Sequence, residues 1–453
     1  MLVIISDLHL TDGTSGTTIS ERAFKIFRER LREMAYEASW RIGGTYTPID
    51  KIDVLLLGDV LDVIRSVKWL DEDVRPWDNV LSKDFLQMVQ NINLDILSEN
   101  DAAFEILRGL NSDNNSLRIT LPPEDGAGNV AKIGYEPEAE GRIPVEVNIH
   151  YMVGNHDWIY HLKGEEYNKI RQSVVEAMGL ANDFNKPFSH EPGESSVILN
   201  FLNAHDVYAR HGDIYDPFNY EGNRDTSSLG DAIVVELLNR FPVEVKKQLG
   251  DQLPKECMDG LREIDNVRPL LLIPVWVDAL LDKTCNNQPE LAGKVKEIWN
   301  KLSDDFLKLE FVRNRDKWWN PLDAVDKLEI GLKITNNISF DKIASVIKWF
   351  TKKRKSKDDS YYKHSIEEQA FKDKKSFIVY GHTHHTEVVP LDVQDNKDQI
   401  YINSGTWRTV FEMAKSDTKV PRFVDYKVMT YLTFFKEDER GGKKFEVWSG
   451  NLG

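Results

Sequence analysis

The sequence predicts an α/β protein, in which β-strands and α-helices alternate along the chain and pack in layers. Two observations lead to this prediction. Several runs of four to eight β-branched and aliphatic residues end at Gly or Asp, as buried strands do. Between them lie stretches with a helical period of about 3.6 residues, at 21–42 and 84–110. Such alternation is typical of sheets covered by helices.

Five of the predicted strands lead directly into turns that carry Asp, Asn or His side chains. These strands cover residues 1–6, 52–57, 145–153, 207–210 and 376–380. In layered α/β folds, ligands bind at the ends of strands. We therefore expect these five turns to contribute to one functional site.

A long helical stretch interrupts this series of strands and turns. Residues 112–144 are polar and rich in Gly and Pro, which predicts a loop. Within 216–374 the pattern is mainly helical, with helices expected at 229–249, 289–309 and 341–351. The chain is therefore interpreted as one core, 1–215 and 375–453, with a helical cap, 216–374, inserted into it.

The C-terminal part is predicted to be all-β. Apolar and aromatic residues predict strands at 399–403, 424–435 and 445–448. Residues 440–443, Arg-Gly-Gly-Lys, form the expected hairpin turn between the last two strands.

Composition excludes several classes of protein. With 58 basic and 74 acidic residues the formal net charge is −16, which argues against broad affinity for nucleic acids or anionic membranes. The apolar start is broken at Asp7, unlike a signal peptide. The longest apolar run, 270–277, is too short for a bilayer, which takes about 20 residues. This length predicts that the chain has no membrane span. Because Cys257 and Cys285 are the only cysteines in the sequence, we expect a reducing compartment and therefore a cytoplasmic protein.

The five turns together offer oxygen and nitrogen donors but no thiolate. The donors are two carboxylates, one amide oxygen and four imidazoles: Asp7, Asp59, Asn155, His9, His211, His382 and His384. This set suits Mn²⁺, with Fe or Zn²⁺ as alternatives, rather than Ca²⁺ or an iron–sulfur cluster. Seven ligands exceed what one ion takes while leaving room for a substrate, so we expect two divalent ions sharing one carboxylate. Glycines 58, 154, 212 and 381 are expected to let the backbone turn sharply beside these donors.

Five motifs follow one another along the chain, each after an apolar run. They are Asp7-x-His9, Gly58-Asp59-x-x-Asp62, Gly154-Asn155-His156-Asp157, His211 and Gly381-His382-x-His384. In this order they resemble the motifs of the calcineurin-like metallophosphoesterase superfamily. The resemblance covers residues 1–215 and about 375–453, and leaves the segment between them unexplained. It implies a four-layer sandwich of two mixed β-sheets flanked by helices, with the helical cap inserted after His211.

The resemblance also implies how the donors are shared. One metal would be held by Asp7, His9, Asp59 and His384, and the other by Asp59, Asn155, His211 and His382, so that Asp59 bridges them. A metal-bridging hydroxide would attack phosphorus and hydrolyse a phosphomonoester, phosphodiester or pyrophosphate. His156 would contact the phosphate or protonate the leaving oxygen, with Asp62 accepting a hydrogen bond from its other ring nitrogen. The substrate would be a phosphorylated small molecule or a nucleotide-like compound.

Two positions separate the chain from the protein serine/threonine phosphatases of this superfamily. Those enzymes have Arg directly after the second Asp and Glu after the Asn-His pair, where this chain has Val63 and Asp157. The motif sequences around His9, His211 and His384 are closer to the motifs of bacterial phosphodiesterases and pyrophosphatases, including UDP-diacylglucosamine hydrolases. Those hydrolases do not share the full Gly-Asn-His-Asp form, so this likeness is partial.

Other features leave alternatives open. The stretch from Lys342 to Lys357 carries seven basic residues and no acid, so it is either a patch for nucleic acid, as in a nuclease, or a solvated helix end, which the acidic net charge favours. A catalytically silent interaction module on the same fold is a further alternative. Arg408 either binds a substrate phosphate or forms a surface salt bridge. Asp213 either orients His211 or only ends its strand. His161 is interpreted as a supporting or surface histidine.

Overall fold

In the computed structural model, the described residues are 1–111, 117–134, 136, 139–268, 272–285, 288–315, 360–414 and 422–452. Within these ranges the chain forms a mixed α/β structure, as the sequence predicts, with mixed sheets flanked by helices. Its strands, in chain order, are β1 Leu2–Ile5, β2 Lys51–Leu57, β3 Thr120–Leu121, β4 Ile143–Pro144, β5 Glu146–Met152, β6 Val207–Arg210, β7 Val267–Arg268, β8 Phe377–Tyr380, β9 Glu387–Gln394, β10 Lys397–Asn403, β11 Thr409–Met413, β12 Phe423–Phe434 and β13 Phe445–Asn451.

A seven-stranded sheet has the order β5-β2-β1-β12-β11-β7, with β13 paired to β12. In this sheet β5, β2 and β1 are parallel, whereas β12 runs antiparallel to β1. The parallel register aligns Ile5 with Leu56 and Leu57 with Met152. The turns that follow these three strands therefore lie at one edge of the sheet.

A four-stranded sheet has the order β6-β8-β10-β9. Its strands β6, β8 and β10 are parallel, and β9 is antiparallel to β10. Because Arg210 pairs with Tyr380, His211 and Gly381 leave the sheet side by side. The short strands β3 and β4 form a separate ribbon.

The helices, in chain order, are α1 Glu21–Ala38, α2 Lys83–Glu99, α3 Asp101–Gly109, α4 Glu165–Met178, α5 Ser196–Ala204, α6 Leu229–Ile233, α7 Arg240–Leu249, α8 Lys255–Arg262, α9 Ile273–Thr284, α10 Pro289–Phe306, α11 Glu310–Arg313, α12 Tyr362–Glu367 and α13 Gln369–Lys372. Of the helices within the described ranges, none has the combination of length and apolar character needed to cross a bilayer.

Successive side chains of the strands point to opposite faces of the seven-stranded sheet and pack into two different apolar cores. Leu2, Leu55 and Phe377 belong to a core that also takes side chains from β6, β10 and β12, so the two large sheets face each other across it. On the opposite face of the seven-stranded sheet, Val3 and Val54 pack with the helices α1 to α4 and with helices from 216–374. This layering is compatible with the expected sandwich, and it brings the ends of both sheets together.

The segment 216–374 is mainly helical where it is described, but it is not wholly helical. Val267 and Arg268 form β7, which pairs in parallel with β11 and so extends the seven-stranded sheet. The helices of this segment share one apolar core with α1 to α4. The expected helix at 341–351 and the basic stretch from Lys342 to Lys357 lie outside the described residues.

The sequence predicts most of these elements, with three differences. The first predicted helix ends at Ala38 rather than at 42, because Trp40 pairs with Tyr46 in an isolated bridge. The helix predicted at 84–110 is two helices, since Asn100 ends α2 and its side chain donates to the carbonyl of Thr11. Strands β3, β4, β7, β9 and β11 and helices α4 and α5 were not predicted.

Trp407 links the layer of α1 to the sheet. Its side chain is fully buried, and its ring lies 5.4 Å from that of Phe24 and 5.3 Å from that of Phe27. The indole nitrogen donates to the carbonyl of Thr430 at 2.6 Å. We expect Trp407→Ala to lower the free energy of unfolding by about 3–5 kcal/mol, measured by urea titration.

The control for this prediction is Leu81→Ala, because Leu81 is 71% exposed. It should change the free energy of unfolding by no more than about 0.5 kcal/mol. Equal effects of the two substitutions would show that Trp407 does not anchor the layer.

Candidate metal centre

The seven predicted donors come together at the adjoining ends of the two sheets. Five of them have a positive φ: Asp7, His9, Asp59, His382 and His384, with values of 53°, 46°, 53°, 67° and 59°. Non-glycine residues seldom adopt this left-handed conformation, and where they do the strain is often part of a functional site. The fold therefore holds these side chains in directions that an unstrained turn would not give.

Backbone hydrogen bonds join the turns after β1 and β2. The amide of Asp7 donates to the carbonyl of Gly58 at 3.1 Å. The amide of His9 donates to the carbonyl of Asp59 at 2.9 Å. Further along, Leu10 and Leu61 form an isolated parallel bridge. The two turns thus extend the sheet pairing beyond the strands and fix Asp7, His9 and Asp59 relative to one another.

One group of donors contains Asp7, His9 and His384. Nε2 of His384 lies 3.3 Å from Oδ1 of Asp7 and 2.9 Å from Nε2 of His9. Nδ1 of His9 is already bound, since it lies 2.7 Å from Oδ2 of Asp62. The Nε2 atoms of both histidines and the carboxylate of Asp7 therefore converge on one point.

A second group contains Asp59, His211 and His382, with Asn155 beside it. Nε2 of His211 lies 3.2 Å from Oδ2 of Asp59 and 3.2 Å from Oδ1 of Asn155. The carbonyl of Leu57 lies 2.9 Å from Nδ1 of His211, which leaves Nε2 directed at the other donors. These four residues are the ones that the resemblance assigns to the second metal.

Asp59 lies between the two groups. Its Oδ2 atom is 3.2 Å from His211 and 3.7 Å from Nε2 of His9. Its Oδ1 atom accepts a hydrogen bond from the amide of His156 at 2.9 Å. A carboxylate in this place can be shared by the two groups.

The donor set fits divalent cations. Oδ1 of Asp7 and Nδ1 of His382 are buried and have no hydrogen-bond partner among the described residues. Burial, with the neighbouring charge of Asp59 adding to it, raises the pKa of Asp7 to about 6. Buried carboxylates need compensating positive charge, and bound cations provide it. Imidazole and carboxylate donors without thiolate suit Mn²⁺, Fe or Zn²⁺, so several His and Asp groups here could hold a metal ion.

Asp62 positions two histidines at once. Its Oδ2 atom bonds Nδ1 of His9, and its Oδ1 atom lies 2.9 Å from Nδ1 of His156. The contact between His156 and Asp62 is the one that the sequence predicts, whereas the contact to His9 was not predicted. Burial opposes the charged form of His156, but Asp62 and Asp59 outweigh it and raise its pKa to about 10.

Asp157 fastens the turn after β5 to the turn after β2. Its carboxylate accepts hydrogen bonds from the amide of Val60 at 2.9 Å, from the amide of Gly154 and from the hydroxyl of Tyr151. Burial raises the pKa of Asp157 to about 7. Asp157 therefore supports the turns that carry the donors and is not itself one of the donors.

The glycines beside the donors serve two purposes. Gly58 and Gly212 have φ values of +86° and +103°, as expected. Gly154 and Gly381 do not have a positive φ. They provide space instead, because a Cβ atom at Gly154 would lie 2.3 Å from Oδ1 of Asp59, and one at Gly381 would lie 2.8 Å from Oδ2 of Asp7.

Three residues of the segment 216–374 reach the donors, and sequence reasoning missed all of them. Oδ2 of Asp216 lies 3.1 Å from Nε2 of His382. Oδ1 of Asn219 accepts a hydrogen bond from Nδ2 of Asn155 at 3.2 Å. Nη2 of Arg268 lies 2.8 Å from Nδ1 of His384. None of the three lies in a motif or a predicted strand, so the sequence carries no signal for them.

Arg408 is not part of a surface salt bridge, because it is buried. It donates to Asp265 at 2.8 Å and to Asn266 at 2.6 Å, and its Nη1 atom has no hydrogen-bond partner in the described part of the chain. Asp265 also lies 3.2 Å from Arg65. Buried Arg65 and Arg408 and half-buried Arg268 thus outnumber Asp265 and leave an excess of positive charge beside the donors.

Asp213 does not orient His211. Its carboxylate accepts hydrogen bonds from Arg224 at 2.7 and 3.1 Å, while His211 is held by the carbonyl of Leu57. Asp213 therefore fastens the beginning of the segment 216–374 to the core.

Comparisons with protein-family models and with curated proteins find no match to this chain.

Gly154→Ala should disrupt the donor groups, because its Cβ would collide with Asp59 and with His211, 2.7 Å away. We expect the affinity for Mn²⁺ to fall at least on the order of tenfold, measured by isothermal titration calorimetry on the full chain.

The matched control is Gly293→Ala in α10, where a Cβ atom meets nothing within 4 Å. Alanine at this helix position should leave metal affinity unchanged and stabilise the protein by about 0.5–1 kcal/mol. Unchanged affinity in Gly154→Ala would contradict the assigned donor groups.

Proposed function

We propose that the protein is a metal-dependent hydrolase that cleaves a phosphomonoester, phosphodiester or pyrophosphate bond. The observation that carries the proposal is the place of Asp59, whose Oδ2 atom lies within 4 Å of one histidine from each donor group. Two divalent cations sharing a carboxylate are suited to in-line displacement at phosphorus. Mn²⁺ is the cation that we expect, with Fe or Zn²⁺ as alternatives.

The layered arrangement of the sheets supports membership of the calcineurin-like metallophosphoesterase superfamily. The five motifs sit at strand ends that meet at one edge of the paired sheets, as the resemblance implies. In this interpretation residues 1–215 and 375–453 are the hydrolase core, and 216–374 is an insertion that shapes access for the substrate.

Each donor would have a defined share in holding the cations. Asp7, His9 and His384 would hold one ion, Asn155, His211 and His382 the other, and Asp59 both. When bound, such ions act as Lewis acids on a phosphoryl group and on water.

His156 is the residue that we assign to proton transfer. With Nδ1 engaged by Asp62 at 2.9 Å, its Nε2 atom is the one that can hold a proton for the leaving oxygen. Asp62 would keep the ring in that orientation. This arrangement favours His156 as the group that contacts the phosphate or protonates the leaving group.

Arginines beside the donors would attract an anionic substrate. Arg268 contacts His384, and Arg408 is paired with Asp265. Guanidinium groups bind phosphate oxygens well because their donors match the geometry of the oxyanion. These positive charges support a phosphorylated substrate over a neutral one.

The proposal is tested by hydrolysis of an aryl phosphate monoester and an aryl phosphate diester in the presence of Mn²⁺. We expect turnover by the unmodified chain, and the ratio of the two rates gives its preference. Asp59→Asn should lower kcat at least on the order of 10²-fold, because the shared charge is lost.

Asp53→Asn is the matched control, since Asp53 is a buried carboxylate in β2, the strand that leads to Asp59, and does not belong to the donor groups. It should keep the unmodified turnover. Equal turnover of Asp59→Asn and the unmodified chain would refute the shared-carboxylate mechanism, and a chain that binds no Mn²⁺ and hydrolyses neither ester would instead be a silent module.

Arg268→Ala tests the role assigned to the arginines. Loss of its charge beside His384 should lower kcat/KM for the aryl phosphate by about 10–200-fold, the equivalent of 1.4–3 kcal/mol, mainly by raising KM. Steady-state kinetics at saturating Mn²⁺ measures kcat and KM separately and so shows which of the two changes.

Arg262→Ala is the control, because Arg262 lies in the same segment and, within the described ranges, donates to the backbone carbonyls of Gly13 and Thr14. We expect its KM to stay unchanged. A fall in kcat alone for Arg268→Ala, or equal effects of both substitutions, would contradict substrate binding by Arg268.

A further inference from the structure

A second cluster of metal-ligating side chains lies outside the seven-donor site. It consists of His161, His190 and Asp225. Oδ1 of Asp225 lies 2.7 Å from Nδ1 of His161 and 3.2 Å from Nε2 of His190. The two imidazole rings meet edge to face, with centroids 4.2 Å apart. One nitrogen of each ring therefore converges with a carboxylate oxygen, and none of the three residues serves the proposed hydrolysis.

The three side chains come from separate segments that the structure fastens together. His161 ends the short 3₁₀ helix Trp158–His161, which follows directly after Asp157. His190 follows Ser189, which bridges to Met152 at the end of β5. Asp225 belongs to the segment 216–374. The donors are thus fixed by the fold and do not depend on one flexible loop.

Arg224 holds Asp225 in place from the neighbouring position. Its guanidinium donates to both carboxylate oxygens of Asp213, to Glu191 at 3.0 Å and to the carbonyl of His190 at 3.1 Å. This set of bonds fixes the chain on either side of the cluster. Preorganised donors lose less conformational entropy on binding a ligand.

Both histidines have the features of metal ligands. His190 is buried, and its Nδ1 atom has no hydrogen-bond partner in the described ranges. Beyond His161, Oε2 of Glu194 lies 3.7 Å from Nε2 and accepts a hydrogen bond from the amide of His190 at 2.8 Å. A carboxylate behind a ligating histidine is the usual support for a metal-bound ring.

The cluster is also open to a cation from solvent. The side chain of Asp225 is 42% exposed and that of His161 is 17% exposed. Two imidazoles and one carboxylate suit Zn²⁺ and its transition-metal neighbours, whereas Ca²⁺ and Mg²⁺ prefer oxygen donors. Three protein ligands leave a fourth position for water.

We propose that His161, His190 and Asp225 form a separate mononuclear site for a Zn²⁺-class cation. A metal there ties the beginning of the segment 216–374 to the turn that carries His156 and to the end of β5. The site stabilises the attachment of this segment to the core, and it exists whether or not the seven-donor site hydrolyses phosphoesters.

The test counts metal ions bound to the chelator-treated full chain after titration with Zn²⁺, using elemental analysis and calorimetry. Asp225→Asn is the decisive variant, because asparagine keeps the shape and a hydrogen-bond acceptor but is a poor ligand. We expect it to bind one Zn²⁺ fewer than the unmodified chain, or to bind that ion at least on the order of tenfold more weakly. Asp183→Asn is the control, since Asp183 is similarly exposed at 48% and pairs with Lys186 on the surface.

The same comparison is repeated in a chain carrying Asp7→Asn and Asp59→Asn, which disable the seven-donor site. One Zn²⁺ should remain there and be lost on adding Asp225→Asn, and its removal should lower the thermal midpoint. Bound Co²⁺ should give the visible absorption of a four-coordinate site under the same conditions. Equal numbers and affinities of Zn²⁺ with and without Asp225→Asn, in both backgrounds, would overturn the proposal.

Discussion

The buried carboxylate of Asp59 is the group on which the arrangement of the site depends. It receives the amide of His156, faces His211 at 3.2 Å and lies 3.7 Å from His9. Burial opposes its charge, but His211 and His156 outweigh that effect and lower the pKa of Asp59 below its ordinary value. A buried charge is stable only with partners, and here the partners come from the ends of three different strands.

This requirement explains the unusual backbone around the site. Asp59 and four of the other donors have a positive φ, and Gly154 leaves out the Cβ that would touch Asp59. Sheet pairing that continues from β1 and β2 into the turns holds this strain in place. The apolar core between the two sheets in turn fixes the strands from which the turns emerge.

The sequence predicts the site better than it predicts the rest of the fold. The five strands that precede the donors are mainly apolar, and each ends at a motif, so local pattern is sufficient to find them. By contrast, β7 is only two residues long, and β9 alternates exposed and half-buried residues around Pro390. Such strands are defined by their partners in the sheet, and a single sequence does not show those partners.

The same limit applies to the residues that support the donors. Asp216 and Arg268 are distant in sequence from His382 and His384, and they meet them only because the segment 216–374 folds back on the core. Asp62 lies within a motif, so its contact with His156 could be predicted. Its contact with His9 depends on the turns after β1 and β2 lying side by side. The positions of the donor side chains therefore depend on contacts made by the segment 216–374 as well as on the motifs.

The central claim is that two metal ions share Asp59. The most direct measurement is an anomalous difference map from crystals of the full chain grown with Mn²⁺. We expect two peaks about 3.5–4 Å apart, one on each side of the Asp59 carboxylate. A single peak, or two peaks that do not both contact Asp59, would contradict it.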